Sequence, residues 1–172
     1  MNPARISGCI LAGGKSERMG RDKAFLRLGG RTLLELQAEK LRALGIRDLL
    51  ISGTAGLPGV RTVPDLLPDR GPLGGLYAAL CTAEYPSCLV LSVDTPLVPV
   101  EALAALIEAH TGGATLLSHR GRDEPLIAVY DCAAAERILP LIAEGGAPVR
   151  ALPDLASARR VVYEGPEALL RN

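Results

Sequence analysis

Residues 10–25 read Ile10-Leu11-Ala12-Gly13-Gly14-Lys15-Ser16-Glu17-Arg18-Met19-Gly20-Arg21-Asp22-Lys23-Ala24-Phe25, and the change of character at Gly13 decides how the chain is read. The apolar run Ile6-Ser7-Gly8-Cys9-Ile10-Leu11-Ala12 stops abruptly at two glycines. This predicts a short buried strand whose end lets the backbone come close to whatever lies there, because glycine has no Cβ to hold it off. Four cations, Lys15, Arg18, Arg21 and Lys23, follow within nine residues and are opposed only by Glu17 and Asp22. Cations clustered at such a point suit a polyanion, and phosphate is the common one.

Two familiar phosphate loops do not fit. Gly14-Lys15-Ser16 looks like the tail of G-x-x-x-x-G-K-[ST], but that motif needs glycine where this chain has Cys9, and the apolar run leaves the loop too short. A G-x-G-x-x-G fingerprint fails because the glycines are adjacent at 13 and 14 and the next is Gly20. The stretch instead resembles the signature L-A-G-G-x-S-x-R-M-G-x-D-K of the molybdenum cofactor guanylyltransferases, the MobA family. Every fixed position is present: Leu11, Ala12, Gly13, Gly14, Ser16, Arg18, Met19, Gly20, Asp22 and Lys23.

A length of 172 residues suits one domain, and 48% apolar residues suffice for a full core. Formal net charge is +0, which argues against a large nucleic-acid footprint. With no tryptophan and one phenylalanine, there is little aromatic surface for stacking single strands. The four cysteines, Cys9, Cys81, Cys88 and Cys132, form no C-x-x-C pair and no disulfide scaffold. Buried reduced thiols in a cytoplasmic protein are the simplest expectation. His110 and His119 have no metal-ligand spacing with the cysteines. Neither a signal peptide nor a membrane span is expected, since the start of the sequence has no signal pattern and no apolar run is long enough to span a bilayer.

Beyond the signature, Leu26 to Arg31 reads as a short strand or turn. Thr32 is a plausible N-cap with Glu35 completing a capping box, and Leu34, Ala38, Leu41 and Leu44 fall on one helical face before Gly45. Leu49-Leu50-Ile51 is a buried strand and Val60 to Val63 a short one. The loop Pro64 to Arg70 holds Asp65 and Asp69. Gly71-Pro72 opens a helix whose apolar face is Leu73, Leu76, Tyr77 and Leu80. Gly74 and Gly75 are poor helix formers there, so close packing against a ligand or strand is expected.

Cys88 to Val93 is almost wholly apolar, as in a strand at the centre of a parallel sheet, and it ends in Asp94-Thr95-Pro96. Ligands of open α/β sheets bind just past the C-terminal ends of central strands. If this strand neighbours the first one, Asp94 faces the glycine loop. Asp94 has a second reading, as a cap for the helix from about Val100 to His110; the pairing with the signature favours a metal ligand. Ala114 to Ser118 and Pro125 to Tyr130 are strands too close in sequence for a crossover helix, so they should pair antiparallel and make the sheet mixed. Helices are expected over Ala133 to Ala143 and Val149 to Leu155, and a last strand over Arg160 to Glu164. The fold class expected is α/β: three layers, α/β/α, around a mostly parallel, mixed sheet.

The resemblance extends over nearly the whole chain, as a single domain spanning 1–172 with a Rossmann-like nucleotidyltransferase fold, and is strongest over residues 6–97. It includes Gly71-Pro72-Leu73-Gly74-Gly75-Leu76, with Asp65 shortly before it. It implies transfer of GMP from GTP to molybdopterin with release of pyrophosphate. Mg²⁺ is the ion implied, held by Asp94, and Arg18 and Lys23 would bind phosphate oxygens. Leu11, Ala12, Gly13 and Gly14 would line the nucleotide site, with Asp65 at the base or ribose. Transient contact with molybdenum-insertion proteins or acceptor molybdoenzymes is implied as well. Arg120, Arg122 and Asp123 are pterin-facing candidates, though a solvated hairpin tip fits them equally. The family's L-A-G-G, against L-A-A-G in its cytidylyltransferase branch, favours GTP over CTP. The chain departs from the family near its end, where N-x-N-T-P-E-[DE]-L becomes Val162-Tyr163-Glu164-Gly165-Pro166-Glu167-Ala168-Leu169. Glu164 replaces the second asparagine and offers a charged oxygen ligand instead. The alternatives are a cytidylyltransferase or other NTP transferase of the same fold and, given the loss of both asparagines, a non-catalytic nucleotide-binding module.

Overall fold

The apolar run at the start of the chain forms the strand β1 (Ser7–Leu11), every residue of which is buried. In the computed structural model, which describes residues 2, 5–13, 23–64, 66–67, 70–143, 149–152 and 158–170, β1 lies near the middle of a seven-stranded sheet. A two-residue hairpin of β2 (Arg27–Leu28) and β3 (Arg31–Thr32) resolves the strand-or-turn reading of 26–31. Then come α1 (Leu33–Ala43), β4 (Asp48–Ser52), β5 (Arg61–Val63), α2 (Gly71–Thr82), β6 (Ser87–Ser92) and α3 (Val100–Ala109). The second half adds β7 (Ala114–His119), β8 (Arg122–Asp131), α4 (Ala135–Ala143) and β9 (Arg159–Val162).

The strand order is β5-β4-β1-β6-β8-β7-β9. β8 alone runs against its neighbours, pairing antiparallel with both β6 and β7, while β9 closes the edge parallel to β7. The mostly parallel, mixed sheet expected from the sequence is therefore present. Each central strand feeds two cores. Ile10, Leu89 and Leu91 pack with Leu34, Ala38 and Leu41 of α1 and Leu103 and Leu106 of α3. Cys9, Leu11, Cys88 and Val90 pack on the opposite face with Leu76 and Leu80 of α2 and Ile138 and Ile142 of α4. Two covered faces explain why β1 and β6 show no apolar–polar alternation.

The capping box at α1 is formed: Glu35 N–H donates to Thr32 Oγ1 at 3.1 Å, and Thr32 N–H donates to Glu35 Oε2 at 2.7 Å. The Thr32 N–H and hydroxyl hold the Glu35 carboxyl below its ordinary range. Several expectations shift. α2 is buried nearly all round, from Leu73 through Leu80, and Tyr77 is the half-buried position rather than part of the inner face. The helix expected from Ala133 begins with a 3₁₀ turn, Cys132–Ala134. The 149–155 segment forms a 3₁₀ turn over Val149–Ala151, with 153–157 outside the described residues. β9 ends at Val162, so Glu164 lies beyond it and is exposed. Cys9 and Cys88 are buried in the sheet, where burial pushes the Cys9 thiol up to about 12, but Cys81 is exposed. Among the described residues no helix is long and apolar enough to cross a membrane.

Candidate active site

β1 and β6 carry the site. They pair in parallel from Ser7↔Cys88 to Leu11↔Ser92. One further bond, from the Val93 N–H to the Leu11 carbonyl at 3.1 Å, continues the pairing into the loops. Gly13 therefore leaves β1 and Asp94 leaves β6 at the same edge of the sheet, on strands about 5 Å apart. Asp94 does not cap α3: the residue at that helix's N-cap is Pro99, and no side chain bonds there.

Lys23 returns to this edge in the 3₁₀ turn Lys23–Phe25, and its Nζ donates to Asp94 Oδ2 at 3.0 Å. The two side chains are 35% and 30% exposed. A pair this open contributes little to stability, so its interest is chemical. It places one cation and one carboxylate side by side at the C-terminal ends of the central strands.

The floor beside them is glycine. At Gly13 a Cβ would sit 3.7 Å from both Gly53 Cα and the Ser52 carbonyl, an ordinary contact, so the protein itself leaves room for a side chain there. Gly53 is different. Its φ is +127°, and a Cβ would fall 2.9 Å from Gly13 N and 3.2 Å from Ala12 C, so backbone meets backbone at the end of β4. A Cβ on Gly75 would lie 2.6 Å from Ser52 Oγ, which confirms the close packing expected of the α2 glycines, here against a strand.

A cleft of about 460 Å³ opens from Asp94 and Thr95 along β8 and is walled by Arg122, Glu124, Ile127 and Arg150. A smaller one of about 170 Å³ adjoins it, sharing Arg122 and Glu124 and adding His119 and Arg120. Arg120 and Arg122 thus both face a cavity, Arg120 at 3.7 Å from Glu167, whereas Asp123 is held at 2.8 Å by Arg160. Glu164 lines neither cleft. Gly14, Arg18 and Asp65 lie outside the described residues.

Three buried polar groups at this edge escape a reading of motifs. Ser52, opposite Leu11 in the pairing of β1 and β4, has a buried hydroxyl with no hydrogen-bond partner among the described residues. Gln37 is fully buried on the inner face of α1. His119 gives its Nδ1 proton to the Tyr163 carbonyl at 2.7 Å, leaving a buried Nε2 without a described partner. The available signal was a polar residue inside or ending an apolar pattern, which is weak for any one of them.

Among the described residues no group of three or more His, Cys, Asp or Glu side chains gathers as a metal cage. A lone carboxylate does not make the closed set that structural zinc takes. It suits Mg²⁺, which keeps several waters and shares its remaining ligands with substrate phosphates.

The sheet order, the glycine floor and the carboxylate at the next strand's end define a three-layer nucleotidyltransferase fold. The crystal structure of molybdopterin-guanine dinucleotide biosynthesis protein A from Archaeoglobus fulgidus shares it, with a TM-score of 0.75 at 24% identity over 91% of this chain and 83% of that one. The chain belongs to the MobA-like NTP transferase domain family, which it matches over residues 8–160. It is 39% identical over 131 residues to a "probable molybdenum cofactor guanylyltransferase" of Pelotomaculum thermopropionicum, covering 73% of this chain and 63% of that protein. A protein of the same name from Flavobacterium johnsoniae is 36% identical over 138 residues, 77% of this chain and 70% of its own length. The chain thus spans less than two thirds of the first of these relatives.

Proposed function

We propose that the protein transfers GMP from GTP to the phosphate of molybdopterin, forming molybdopterin guanine dinucleotide and releasing pyrophosphate. The observation that carries this reading is the Lys23–Asp94 pair at the joined ends of β1 and β6. The names of the two relatives supply the substrates.

In this reading a phosphate oxygen of the acceptor attacks the α-phosphorus of GTP. A new P–O–P anhydride forms, the bond from α-phosphorus to the bridging oxygen breaks, and its electron pair leaves with pyrophosphate. The acceptor is a phosphate monoester with a second pKa near about 6, so it is largely dianionic at neutral pH and needs no general base. The obstacle is repulsion between two anions brought together for in-line displacement. Lys23 exchanges its carboxylate partner for a phosphate oxygen and, with Arg18, offsets charge as it moves to the leaving group. Asp94 would hold Mg²⁺, which would supply charge neutralisation to the phosphates. Leu11, Ala12, Gly13 and Gly14 are assigned to the nucleotide, and Asp65 to its base or ribose. The clefts along β8 take the acceptor, with Arg122 and Arg150 suited to its phosphate.

Incubation with Mg²⁺, molybdopterin and either GTP or CTP, followed by chromatography of the dinucleotide and assay of pyrophosphate, tests this directly. Guanine dinucleotide and pyrophosphate in equal amounts are expected. Cytosine dinucleotide from CTP alone would overturn the base assignment, and nucleotide binding without product would leave a binding module.

A further inference from the structure

Gln37 is fully buried among Leu34, Ala38 and Leu41 on the inner face of α1. A buried amide costs free energy unless its hydrogen-bonding groups are met, and an apolar residue would fill the same space more cheaply. Where its bonds go therefore shows what it is for. Nε2 donates to the Ser92 carbonyl at 2.7 Å and to the Thr95 carbonyl at 3.0 Å. Oε1 accepts from Lys40 Nζ at 3.2 Å, and Lys40 also donates to the Pro96 carbonyl. The amide orientation follows from these partners, since two carbonyls need the NH₂ group and an ammonium needs the oxygen. Both amide hydrogens end on the loop that carries Asp94. Ser92 and Thr95 bracket it, and the Asp94 N–H is itself tied to Ser92 Oγ at 3.3 Å.

We propose that Gln37, supported by Lys40, is the positioning residue for Asp94: α1 reaches across the end of β6 and fixes the carbonyls on either side of the carboxylate. The proposal rests on the role given to Asp94 above. Neither side chain needs to touch nucleotide. A carboxylate that must meet phosphates and their ion in one geometry gains from a loop that is set before they arrive.

The test compares the wild type with Gln37→Met, which keeps length and volume but has no N–H, and with Lys40→Met. Amide hydrogen exchange in the ligand-free protein reads the loop. The Mg²⁺ concentration giving half-maximal pyrophosphate release from GTP reads its consequence. In Gln37→Met, exchange over residues 93–98 should quicken roughly tenfold while β1 and α2 keep their protection. The Mg²⁺ requirement should rise about 10- to 100-fold, and Lys40→Met should move both in the same direction by less. Unchanged exchange at 93–98 overturns the proposal, as does faster exchange throughout the protein with the wild-type Mg²⁺ requirement. If the wild type makes no product from GTP, the reading of the site fails, and the exchange experiment still decides whether Gln37 holds the loop.

Discussion

Ser52 and Gly53 sit side by side at the end of β4 and make opposite demands. The Ser52 hydroxyl is buried without a described partner, a condition that costs about 1–3 kcal/mol when a polar group loses water and gains nothing. Ser52→Ala should therefore raise stability by about 1 kcal/mol in urea unfolding. Lower stability would show that the hydroxyl contributes to the core. Gly53→Ala should do the reverse to the scaffold. Its added Cβ meets the Gly13 and Ala12 backbone at 2.9 and 3.2 Å in a left-handed conformation, and neither contact is with a flexible side chain. A loss of about 1–3 kcal/mol is expected, together with weaker GTP binding, because the strain falls on the glycine floor itself. The end of β1 at Gly13 was legible because two glycines interrupt an apolar strand. The buried hydroxyl of Ser52 was not, since a serine ending a strand is common and only the pairing of β4 with β1 and the packing of α2 cover it.

The elements were legible where local chemistry and packing agree. Thr32 and Glu35 announce the start of α1, and the helix starts there with the capping box closed. Thr32→Ala should cost about 1 kcal/mol and lower the melting temperature without changing turnover; no shift would mean that packing of Leu34 and Leu41 alone sets this end. The apolar runs of β1 and β6 likewise revealed strands covered on both faces. What escaped was set by neighbours distant in sequence. α2 looked one-sided because Tyr77 continues the Leu73–Leu76–Leu80 spacing, yet glycines and alanines let the helix sink between β1, β4 and α4 until its other sides are covered as well. Gln37 broke the apolar face of α1 for a partner 55 residues away, Ser92, which no helical periodicity can announce. The tie between Lys23 and Asp94 spans 71 residues and was not foreseen; the sequence pointed only to Asp94 facing the glycine loop, because each of the two strands ends in a recognisable motif.

Across the whole molecule, a buried polar cluster and the candidate site lie at opposite ends of the central strands. At the starting ends of β1 and β4, Asp48 accepts from Ser7 Oγ at 2.5 Å, the Glu84 N–H at 3.0 Å and Arg61 Nη2 at 2.6 Å. Burial alone would raise this carboxyl, but these three donors together hold it below its ordinary value of 3.8. A depressed carboxylate lends stability that is present above its unfolded pKa and lost as pH falls through the folded one. Asp48→Asn should therefore cost about 2 kcal/mol from pH 8 down to about 4, with the gap to wild type closing only below that. Turnover should be unchanged, since Asp48 lies far along β4 from Ser52. A gap that closed between pH 6 and 8 would place the titrating group elsewhere.

The opposite edge is where β1 and β6 release the glycine floor and Asp94 side by side. The most direct trial of that arrangement is the rate of pyrophosphate release from GTP and molybdopterin with saturating Mg²⁺, wild type against Asp94→Ala, with thermal unfolding of both followed in parallel. The rate should fall by about 100- to 1,000-fold or more while the melting temperature holds, because the carboxylate is partly exposed and packs no core. A variant that releases pyrophosphate at the wild-type rate would contradict the assignment of Asp94 and the reaction built upon it.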